Sequence, residues 1–333
     1  MTQNNYQTPI HRLNYTDGRN TYYIKRDDLL PFSFGGNKVR IAQAYFEDLE
    51  KKGCDCIVAY GNSRSNLCRV IANMSAAKGI PCYIVSPADD SGERIDTNNS
   101  CMVRAMGATI IPCLKTNVAA TVERTLTDCK REGYHPYYTN GDIYGKGNEK
   151  TPVQAYVDAY EEIKSYERET GITFDYIFHA SGTGMTQAGL ICGSVLHEDS
   201  KHIIGISIAR SADVGESAVK DHTNSYLVEN ESENRNTAQI NFIDKYTLGG
   251  YGKYNHKIID VIHTVLIEDG VALDPVYTGK AFWGMGEYCN ERMVSGCNIL
   301  FIHTGSAPLF FDNLHTICGN VVSDGVEGKE PFI

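Results

Sequence analysis

The sequence lacks the features that mark membrane proteins and nucleic-acid-binding proteins. Its unbroken apolar runs are only a few residues long, whereas a helix that spans a bilayer needs about 20. Basic residues are outnumbered, with 31 Lys and Arg against 41 Asp and Glu, and the formal net charge of −10 argues against a nucleic-acid surface. The polar stretch 1–5 has no apolar segment typical of a signal peptide. We therefore expect a cytoplasmic protein with no membrane or nucleic-acid partner.

The cysteines show no pattern of a disulfide framework. The 333 residues include 11 cysteines, an odd number, and they are scattered along the chain, which favours reduced thiols. Cys54 and Cys56 form the one tight pair, and no second cysteine or histidine cluster accompanies them, so we predict no metal site. An apolar content of 42% and a charged content of 22% are typical of a globular protein with one large or two moderate domains.

Strand and helix patterns alternate along most of the chain. Runs rich in β-branched and aromatic residues predict strands at 56–60, 81–85, 108–114, 174–180, 203–208 and 298–303. Apolar residues that recur every three or four positions predict helices at 67–74, 95–106, 117–132, 152–170, 186–197, 213–230, 255–268, 276–292 and 306–316. Short strands and turns are predicted for 8–34 and a loop for 134–150. The alternation indicates parallel sheets with helices on their faces.

Residues 34–40, Phe-Gly-Gly-Asn-Lys-Val-Arg, place a lysine at the start of a predicted helix. Apolar residues from Val39 to Leu49 recur at spacings of three and four, as on one face of a helix. Lys38 would then lie in the first turn, where the helix dipole disfavours a cation and so favours the neutral amine. A neutral lysine amine is what carbonyl chemistry requires. The same pattern also fits a solvent-facing lysine that follows a turn.

A second glycine-rich segment, Ser181-Gly-Thr-Gly-Met-Thr, lies between a predicted strand and a predicted helix. Glycines let the backbone approach a ligand, and the amides at a helix start bind phosphate, to which Thr183 and Thr186 can add hydroxyl groups. Gln187 stands where a dinucleotide fingerprint requires glycine, and no Lys-Ser/Thr pair follows as in a P-loop. The segment favours a phosphate site, although the glycines also fit a turn that only packs helix against strand.

The segment 61–69, Gly-Asn-Ser-Arg-Ser-Asn-Leu-Cys-Arg, also follows a predicted strand and precedes a helix. Ser65 or Asn66 fits an ordinary helix N-cap. The same residues fit a ligand site, in which the amides of the helix start hold a carboxylate, Ser65 assists proton transfer and Asn66 bonds a cofactor hydroxyl. The sequence leaves both interpretations open.

Two tyrosines and two threonines occupy similar junctions. Tyr277 and Thr278 follow a turn-forming Asp-Pro pair just before a helix. Tyr251 lies in a glycine-rich loop, and Thr304 follows the last predicted strand. In a parallel sheet the carboxyl ends of the strands share one edge, where ligands bind, so we expect all these groups to converge there. A reactive lysine beside a monophosphate site points to pyridoxal phosphate (PLP).

These motifs, in this order, resemble the fold-type-II PLP enzymes of the D-cysteine desulfhydrase/1-aminocyclopropane-1-carboxylate (ACC) deaminase group. The resemblance covers roughly residues 8–320. Its anchors are Lys25-Arg-Asp-Asp, Gly35-Gly-Asn-Lys-Val-Arg, Ser65-Asn66, Thr183-Gly-Met-Thr-Gln-Ala-Gly, Asp274-Pro-Val-Tyr-Thr-Gly-Lys and His303-Thr-Gly.

The resemblance implies a two-domain α/β fold like that of the tryptophan synthase β chain. Each domain would be an open, twisted and mostly parallel sheet flanked by helices. Residues 1–48 and 166–333 would form the large PLP-binding domain, and 49–165 a small mobile α/β domain. The resemblance also implies a homodimer.

Residue by residue, the resemblance implies roles for the converging side chains. Lys38 would form the Schiff base with PLP, and Asn66 would bond the PLP ring oxygen. Ser65 would move a proton or bind the substrate carboxylate, and Tyr251 and Tyr277 would act on the substrate. The remaining cofactor-binding residues would be Thr183, Gly184, Met185, Thr186, Thr278 and Thr304.

Several positions bear on the exact substrate. Arg64 stands where this group usually has glutamine, and Leu67 where it usually has histidine, so a fixed cation would lie near the substrate site. Ser306 replaces a second glycine after His303-Thr-Gly. ACC deaminases carry glutamate at the position of Thr278, whereas desulfhydrases and β-replacement enzymes are similar to this chain there.

The resemblance thus implies α,β-elimination on a small amino acid, such as D-cysteine or a β-substituted alanine, with release of pyruvate and ammonia. Lys38, displaced by the incoming amino acid, would act as the base at Cα. Three other functions stay open. They are a β-replacement synthase in which Arg64 binds an extra carboxylate, an ACC deaminase, and a PLP- or amino-acid-binding protein without turnover.

Overall fold

The computed structural model describes residues 7–88, 95–230 and 239–322, so the polar stretch 1–5 lies outside the described part of the chain. The strands are β1 (Ile10–Arg12), β2 (Thr21–Lys25), β3 (Cys56–Tyr60), β4 (Cys82–Pro87), β5 (Thr109–Cys113), β6 (Pro136–Tyr138), β7 (Tyr176–Ser181), β8 (His202–Ser207), β9 (Asn241–Ile243) and β10 (Asn298–Ile302). The helices are α1 (Asn37–Lys51), α2 (Asn66–Lys78), α3 (Asn98–Ala105), α4 (Val118–Arg131), α5 (Lys150–Thr170), α6 (Met185–Leu196), α7 (Ala212–Glu229), α8 (His256–Asp269), α9 (Thr278–Glu291), α10 (Ala307–Asp312) and α11 (Leu314–Val322). Short 3₁₀ turns lie at Asp27–Leu29 and Lys115–Asn117.

The larger sheet has the strand order β1-β2-β10-β7-β8-β9. Its neighbouring strands are parallel except for the antiparallel pair β1 and β2. Side chains alternate along each strand, so Leu300 and Ile302 enter one hydrophobic core while Ile299 and Phe301 enter the other. Because helices cover both faces, these strands are apolar at nearly every position, which is the pattern seen in the sequence.

The smaller sheet has the order β5-β4-β3-β6, and all its neighbouring strands are parallel. Ile57 and Ala59 of β3 join the core shared with α1 and α2, whereas Cys56 and Val58 pack with Val122 of α4. Two mostly parallel sheets flanked by helices confirm the predicted fold class.

Two local predictions were wrong. Residues 134–150, predicted as loop, contain β6, whose three residues begin at Pro136 and pair with β3 at the edge of the smaller sheet. A strand this short carries no readable alternation, and an edge strand tolerates proline at its first residue. The single helix predicted at 306–316 is two helices, α10 and α11, which break at Asn313.

The long helix α5 connects the two parts of the chain. It follows the last strand of the smaller sheet and packs against α1, α6 and α7, which lie on the larger sheet. The domain boundary predicted at residue 165 stays a prediction. Within the described residues, no helix is both long and apolar enough to cross a membrane.

Candidate active site

A cavity of about 750 Å³ opens where the carboxyl ends of strands from both sheets face each other. It collects ten of the twelve predicted site residues on its walls. These are Lys38, Ser65, Asn66, Thr183, Gly184, Met185, Thr186, Tyr251, Tyr277 and Thr304. The other two, Arg64 and Thr278, are not among the residues that line it. The convergence expected from a parallel sheet is therefore observed for most of the set.

Lys38 reaches the cavity because two backbones cross without side chains between them. Gly36 has φ +96°, and a Cβ atom there would lie 2.8 Å from the Thr304 carbonyl oxygen. The amide of Asn37 donates to that same carbonyl oxygen at 3.0 Å. Position 36 requires glycine because its φ angle is positive and because a Cβ atom would clash with the Thr304 carbonyl. The close contact of the two backbones holds the start of α1 against the end of β10.

The amine of Lys38 is set apart from charged partners. Within the described residues, no hydrogen bond or ion pair joins it to another side chain, and burial lowers the pKa of Lys38 from 10.5 to about 8. Desolvation disfavours the ammonium form, and the dipole of α1 acts in the same direction. A substantial neutral fraction near neutral pH makes this lysine a nucleophile.

The glycine segment after β7 forms an open helix start, as predicted. β7 ends at Ser181, and α6 begins at Met185 with Gly184 as its N-cap at φ 90°. Gly184 has no side chain to cap the helix, so the first amides of α6 stay available to an anion. Thr186 Oγ accepts a hydrogen bond from Asn37 Nδ2 at 3.0 Å, which ties this segment to the residue before Lys38.

At the start of α2, one residue forms the predicted helix N-cap and the next lies on the cavity wall, as predicted for a ligand site. Ser65 is the N-cap, and its hydroxyl accepts from the Cys68 amide at 3.2 Å. Asn66 lies on the cavity wall, where its Nδ2 donates to Ser306 Oγ at 2.7 Å and its Oδ1 accepts from Asn99 at 3.0 Å. Ser306 itself has φ 83°, a left-handed conformation that is unfavourable for a serine. The departure from glycine at this position therefore supplies a hydroxyl that orients Asn66.

The two predicted tyrosines contact each other. Their hydroxyl oxygens are 2.9 Å apart, and the rings meet edge to face with centroids 5.8 Å apart. Burial raises the pKa of Tyr277 to about 12 and raises the pKa of Tyr251 well above its usual value, while the nearby positive charge of Arg64 opposes both shifts. Both hydroxyls are therefore protonated donors at neutral pH. Arg64 acts on this pair electrostatically although it does not line the cavity.

Thr278 makes a different contact from the one implied by the resemblance. Its hydroxyl donates to Asp274 Oδ1 at 2.9 Å and accepts from the Asp274 amide at 2.9 Å. The same carboxylate also accepts from the amides of Val276, Tyr277 and Thr278, so it caps the first turn of α9 and fixes the direction of Tyr277. The bond between Thr278 and a cofactor ring nitrogen stays a prediction.

A charged cluster that the sequence did not indicate lies behind α1. Lys25 and Asp27 are fully buried, and Arg40 and Glu162 are mostly so. Arg40 contacts Asp27 at 3.1 Å and Glu162 at 2.6 Å, and Lys25 contacts Glu162. Arg40 and Lys25 hold the pKa of Asp27 at about 2 despite its burial. The cluster joins α1 to α5 and so fixes the helix that carries Lys38.

The sequence also did not predict Lys280 and Arg210 as residues of the site. Lys280 is buried and donates to the carbonyl oxygens of Ile208, Thr247 and Gly250, which holds the loop of Tyr251 beside the end of β8. It is the last residue of the Asp274–Lys280 motif, so the signal was present without a role assigned to it. Arg210 lines the cavity after β8, in a stretch where no motif marked it.

The cavity residues fit two groups of PLP, the aldehyde and the phosphate. The amine of Lys38 matches the aldehyde carbon, and the open amides of α6 match the phosphate. Lys38 would hold the cofactor covalently, and Thr183 to Thr186 would hold its phosphate. No group of three or more histidine, cysteine or carboxylate side chains in the described ranges could hold a metal ion.

Several known proteins are similar to this chain in sequence and in fold. Residues 1–305 match the family described as pyridoxal-phosphate dependent enzyme. The D-cysteine desulfhydrase of Salmonella paratyphi A is 30% identical over 312 residues, which covers 91% of this chain and 93% of that protein. A solved structure described as an ACC deaminase homologue has a TM-score of 0.81 at 27% identity and covers 94% of each chain. An O-ureido-L-serine synthase structure, 16% identical with a TM-score of 0.63 and covering 96% of this chain and 95% of its own, shares the fold. The chain belongs to the family of pyridoxal-phosphate dependent enzymes.

Proposed function

We propose that this PLP-dependent enzyme catalyses α,β-elimination on a small amino acid, such as D-cysteine or a β-substituted alanine, and releases pyruvate and ammonia. The observation that carries the proposal is the placement of Lys38, an amine with a lowered pKa, on the wall of the cavity. The same cavity also contains the open amides at the start of α6 and the hydrogen-bonded pair of tyrosines. The relative named D-cysteine desulfhydrase supports the substrate class.

Each part of the cavity has a task in this reaction. When bound, PLP supplies an electron sink conjugated to the substrate nitrogen. Lys38, with a pKa of about 8, accepts the proton from Cα near neutral pH. The amides at the start of α2, with the Ser65 hydroxyl, hold the substrate carboxylate. Tyr251 and Tyr277 are both protonated, and the hydroxyl that accepts within the pair has its own proton left to donate to the leaving group.

The remaining site residues orient the cofactor. Asn66 would bond the ring oxygen from the position that Asn99 and Ser306 give it. Thr278 would face the ring nitrogen and Thr304 would border the ring at the end of β10. The assignment of Thr278 rests on the resemblance alone, and those of Asn66 and Thr304 rest also on their places on the cavity wall.

Replacement of Lys38 tests the proposal directly. The purified Lys38→Ala protein should lose the visible absorption band of lysine-bound PLP and lose roughly 10³-fold or more in pyruvate release. Lys51→Ala is the matched control, because Lys51 is exposed at the far end of the same helix. Pyruvate assays over D- and L-cysteine, β-chloroalanine, D-serine and ACC would identify the substrate. An unchanged absorption band in Lys38→Ala contradicts the assignment.

A β-replacement reaction is the second candidate, since the charge of Arg64 acts on both tyrosines. In that reaction Arg64 would bind a carboxylate on the incoming nucleophile. Arg64→Gln should then lower the rate with a carboxylate-bearing nucleophile more than the rate of simple elimination. Full activity and unchanged preference in this variant would remove the candidate.

We also propose a cytoplasmic homodimer whose smaller domain, within 49–165, moves as a unit. The 11 cysteines are free in the described structure, as expected in a reducing compartment. The smaller sheet lies wholly within 56–138, and the helices on it contact the rest of the chain at several points, among them the Asn66–Ser306 bond. Light scattering of the purified protein tests the dimer, and hydrogen exchange with and without substrate tests the movement.

A further inference from the structure

Arg210 is a cation on the cavity wall for which the structure provides no partner. It is partly buried three residues after the end of β8. Within the described residues, no hydrogen bond or ion pair joins its guanidinium to another side chain. A partly buried guanidinium without an anion is unfavourable, because desolvation is not offset by pairing. Burial accordingly lowers the pKa of Arg210.

The position of Arg210 in the chain adds to this cost. It stands two residues before α7, a helix of 18 residues, and a helix start disfavours a cation. The segment is nevertheless fixed by buried polar groups. Ser207 Oγ donates to the carbonyl oxygen of Arg210 at 2.8 Å, and Lys280 donates to that of Ile208 at 3.1 Å. The guanidinium is therefore carried by a rigid loop.

Other strand ends bring positive charge to the same part of the cavity. Tyr60 is the last residue of β3, and Lys115 follows β5, so both come from the smaller sheet while Arg210 comes from the larger one. Burial raises the pKa of Tyr60, and the charges of Lys115 and Arg210 both oppose that rise. Both cations thus lie within electrostatic reach of the Tyr60 hydroxyl.

The acidic residues of the cavity are engaged elsewhere. Asp221 contacts Lys146 at 3.3 Å, and Glu149 accepts from the amide of Gly147 at 2.9 Å. His222 carries no negative charge in either protonation state, and burial together with the charge of Arg210 lowers its pKa. Within residues 7–88, 95–230 and 239–322, no carboxylate pairs with Arg210, which leaves its guanidinium open to an anionic ligand.

We propose that Arg210, with Tyr60 and Lys115 beside it, forms a subsite for an anionic β-substituent of the substrate, such as a phosphate, sulfonate or carboxylate. This proposal rests on the proposed elimination reaction. The open amides of α6 are matched by the cofactor phosphate and those of α2 by the substrate α-carboxylate. Arg210 is a third anion-binding element in the same cavity, so a substrate that complements it would carry a second negative group besides its α-carboxylate.

The reaction balances with such a substrate. For O-phosphoserine, the Cα–H bond breaks and its proton passes to the base. Its electron pair forms a Cα–Cβ double bond while the Cβ–O pair leaves with the phosphate. The resulting enamine takes up a proton at Cβ, and water then replaces nitrogen at Cα, so that O-phosphoserine and water give pyruvate, ammonium and hydrogen phosphate. Arg210 would neutralise the charge of the departing phosphate.

The test compares O-phosphoserine with O-acetylserine, both enantiomers of each, in the PLP-loaded enzyme. Arg210→Met should lower the ratio of kcat/KM for O-phosphoserine to that for O-acetylserine by about 10-fold or more, mainly through KM. Arg12→Met is the matched control, because Arg12 is exposed on β1 away from the cavity, and it should leave the ratio unchanged.

Calorimetric titration of the loaded enzyme with sodium sulfate gives a readout that is independent of turnover. The wild type and Arg12→Met should bind sulfate, and Arg210→Met should not. Equal binding in all three proteins, or none in the wild type, overturns the subsite. If the wild type releases pyruvate from no substrate, the proposed function fails while this titration still decides the subsite.

Two outcomes would assign Arg210 to another anion and overturn the proposal. An equal loss with both substrates would place the shared α-carboxylate at Arg210. A weaker affinity of cofactor-free Arg210→Met for PLP, measured by absorbance titration, would place the cofactor phosphate there. Turnover of O-acetylserine without turnover of O-phosphoserine by the wild type would contradict the substrate class.

Discussion

Two lysines close together in the sequence occupy opposite kinds of surroundings. Lys25, at the end of β2, is fully buried among Thr8, Asp27 and Glu162, and its ammonium contacts all three. Lys38, at the start of α1, lines the cavity and contacts no carboxylate. A buried lysine with carboxylate partners keeps its charge and holds elements together, whereas one without them loses its proton more easily and can react.

Breaking the cluster around Lys25 should have the largest effect on stability. Glu162→Gln removes one of the two carboxylates that Lys25 and Arg40 share and should lower the free energy of unfolding by about 3–5 kcal/mol. Urea unfolding of the cofactor-free protein measures it. Glu161→Gln is the control, since the neighbouring Glu161 pairs with Arg168 at the surface and should cost under about 1 kcal/mol. Equal losses of unfolding free energy in the two variants would mean that the buried cluster does not stabilise the fold.

Acid should weaken the same cluster through Asp27. The pKa of Asp27 is about 2 in the folded protein, below its usual value of 3.8, so its contribution is present above pH 4 and is lost as the pH falls towards 2. The stability difference between wild type and Asp27→Asn should therefore shrink by about 2 kcal/mol over that interval. Urea unfolding at pH 4 and pH 2 measures the change, and a constant difference would contradict it.

A pH dependence of the same sign is expected at Lys38, in a higher pH range. Between its folded pKa of about 8 and its usual value of 10.5, the unfolded chain binds a proton that the folded protein does not, so stability rises with pH across this range. Cofactor-free Lys38→Met should thus be more stable than wild type at pH 7 by about 1–2 kcal/mol, reduced because Lys38 is partly accessible from the cavity. The gain should vanish near pH 10.5, and a gain that persists there would point to packing instead.

Ser306 gives the smallest expected effect and separates strain from hydrogen bonding. Ser306→Ala keeps the left-handed backbone but loses the bond to Asn66, so it should cost about 1 kcal/mol in thermal unfolding. Ser306→Gly loses the same bond but removes the strain, so its stability should stay near that of wild type. If both variants lose the same amount, the backbone at this position is not strained.

The sequence predicted the parts of the site that depend on local order. Glycines before Lys38 and after β7, an N-cap at the start of α2 and a turn before α9 are readable because each needs particular residues at fixed spacings. The alternation of strands and helices placed these segments at one edge of parallel sheets. The short strand β6 was missed because three residues carry no periodicity.

Other features came from residues far apart in the chain. Glu162 meets Lys25 because α5 packs on α1, and no spacing in the sequence indicates that contact. Asn66 was predicted as a cofactor ligand, but its orientation by Asn99 and Ser306 became visible only in the folded chain. Arg210 belongs to no motif, and it is distinguished by its place on the cavity wall without a paired carboxylate among the described residues.

The sequence alone determined the fold class and the family, because these follow from local patterns repeated in a fixed order, and it predicted Lys38 as the reactive lysine. The tertiary structure decided which charges are paired. Lys25 lies among the carboxylates of Asp27 and Glu162, whereas Lys38 lines the cavity and contacts no carboxylate within the described residues. The pKa of an amine depends on the groups within a few ångströms of it, and long-range packing chooses those groups.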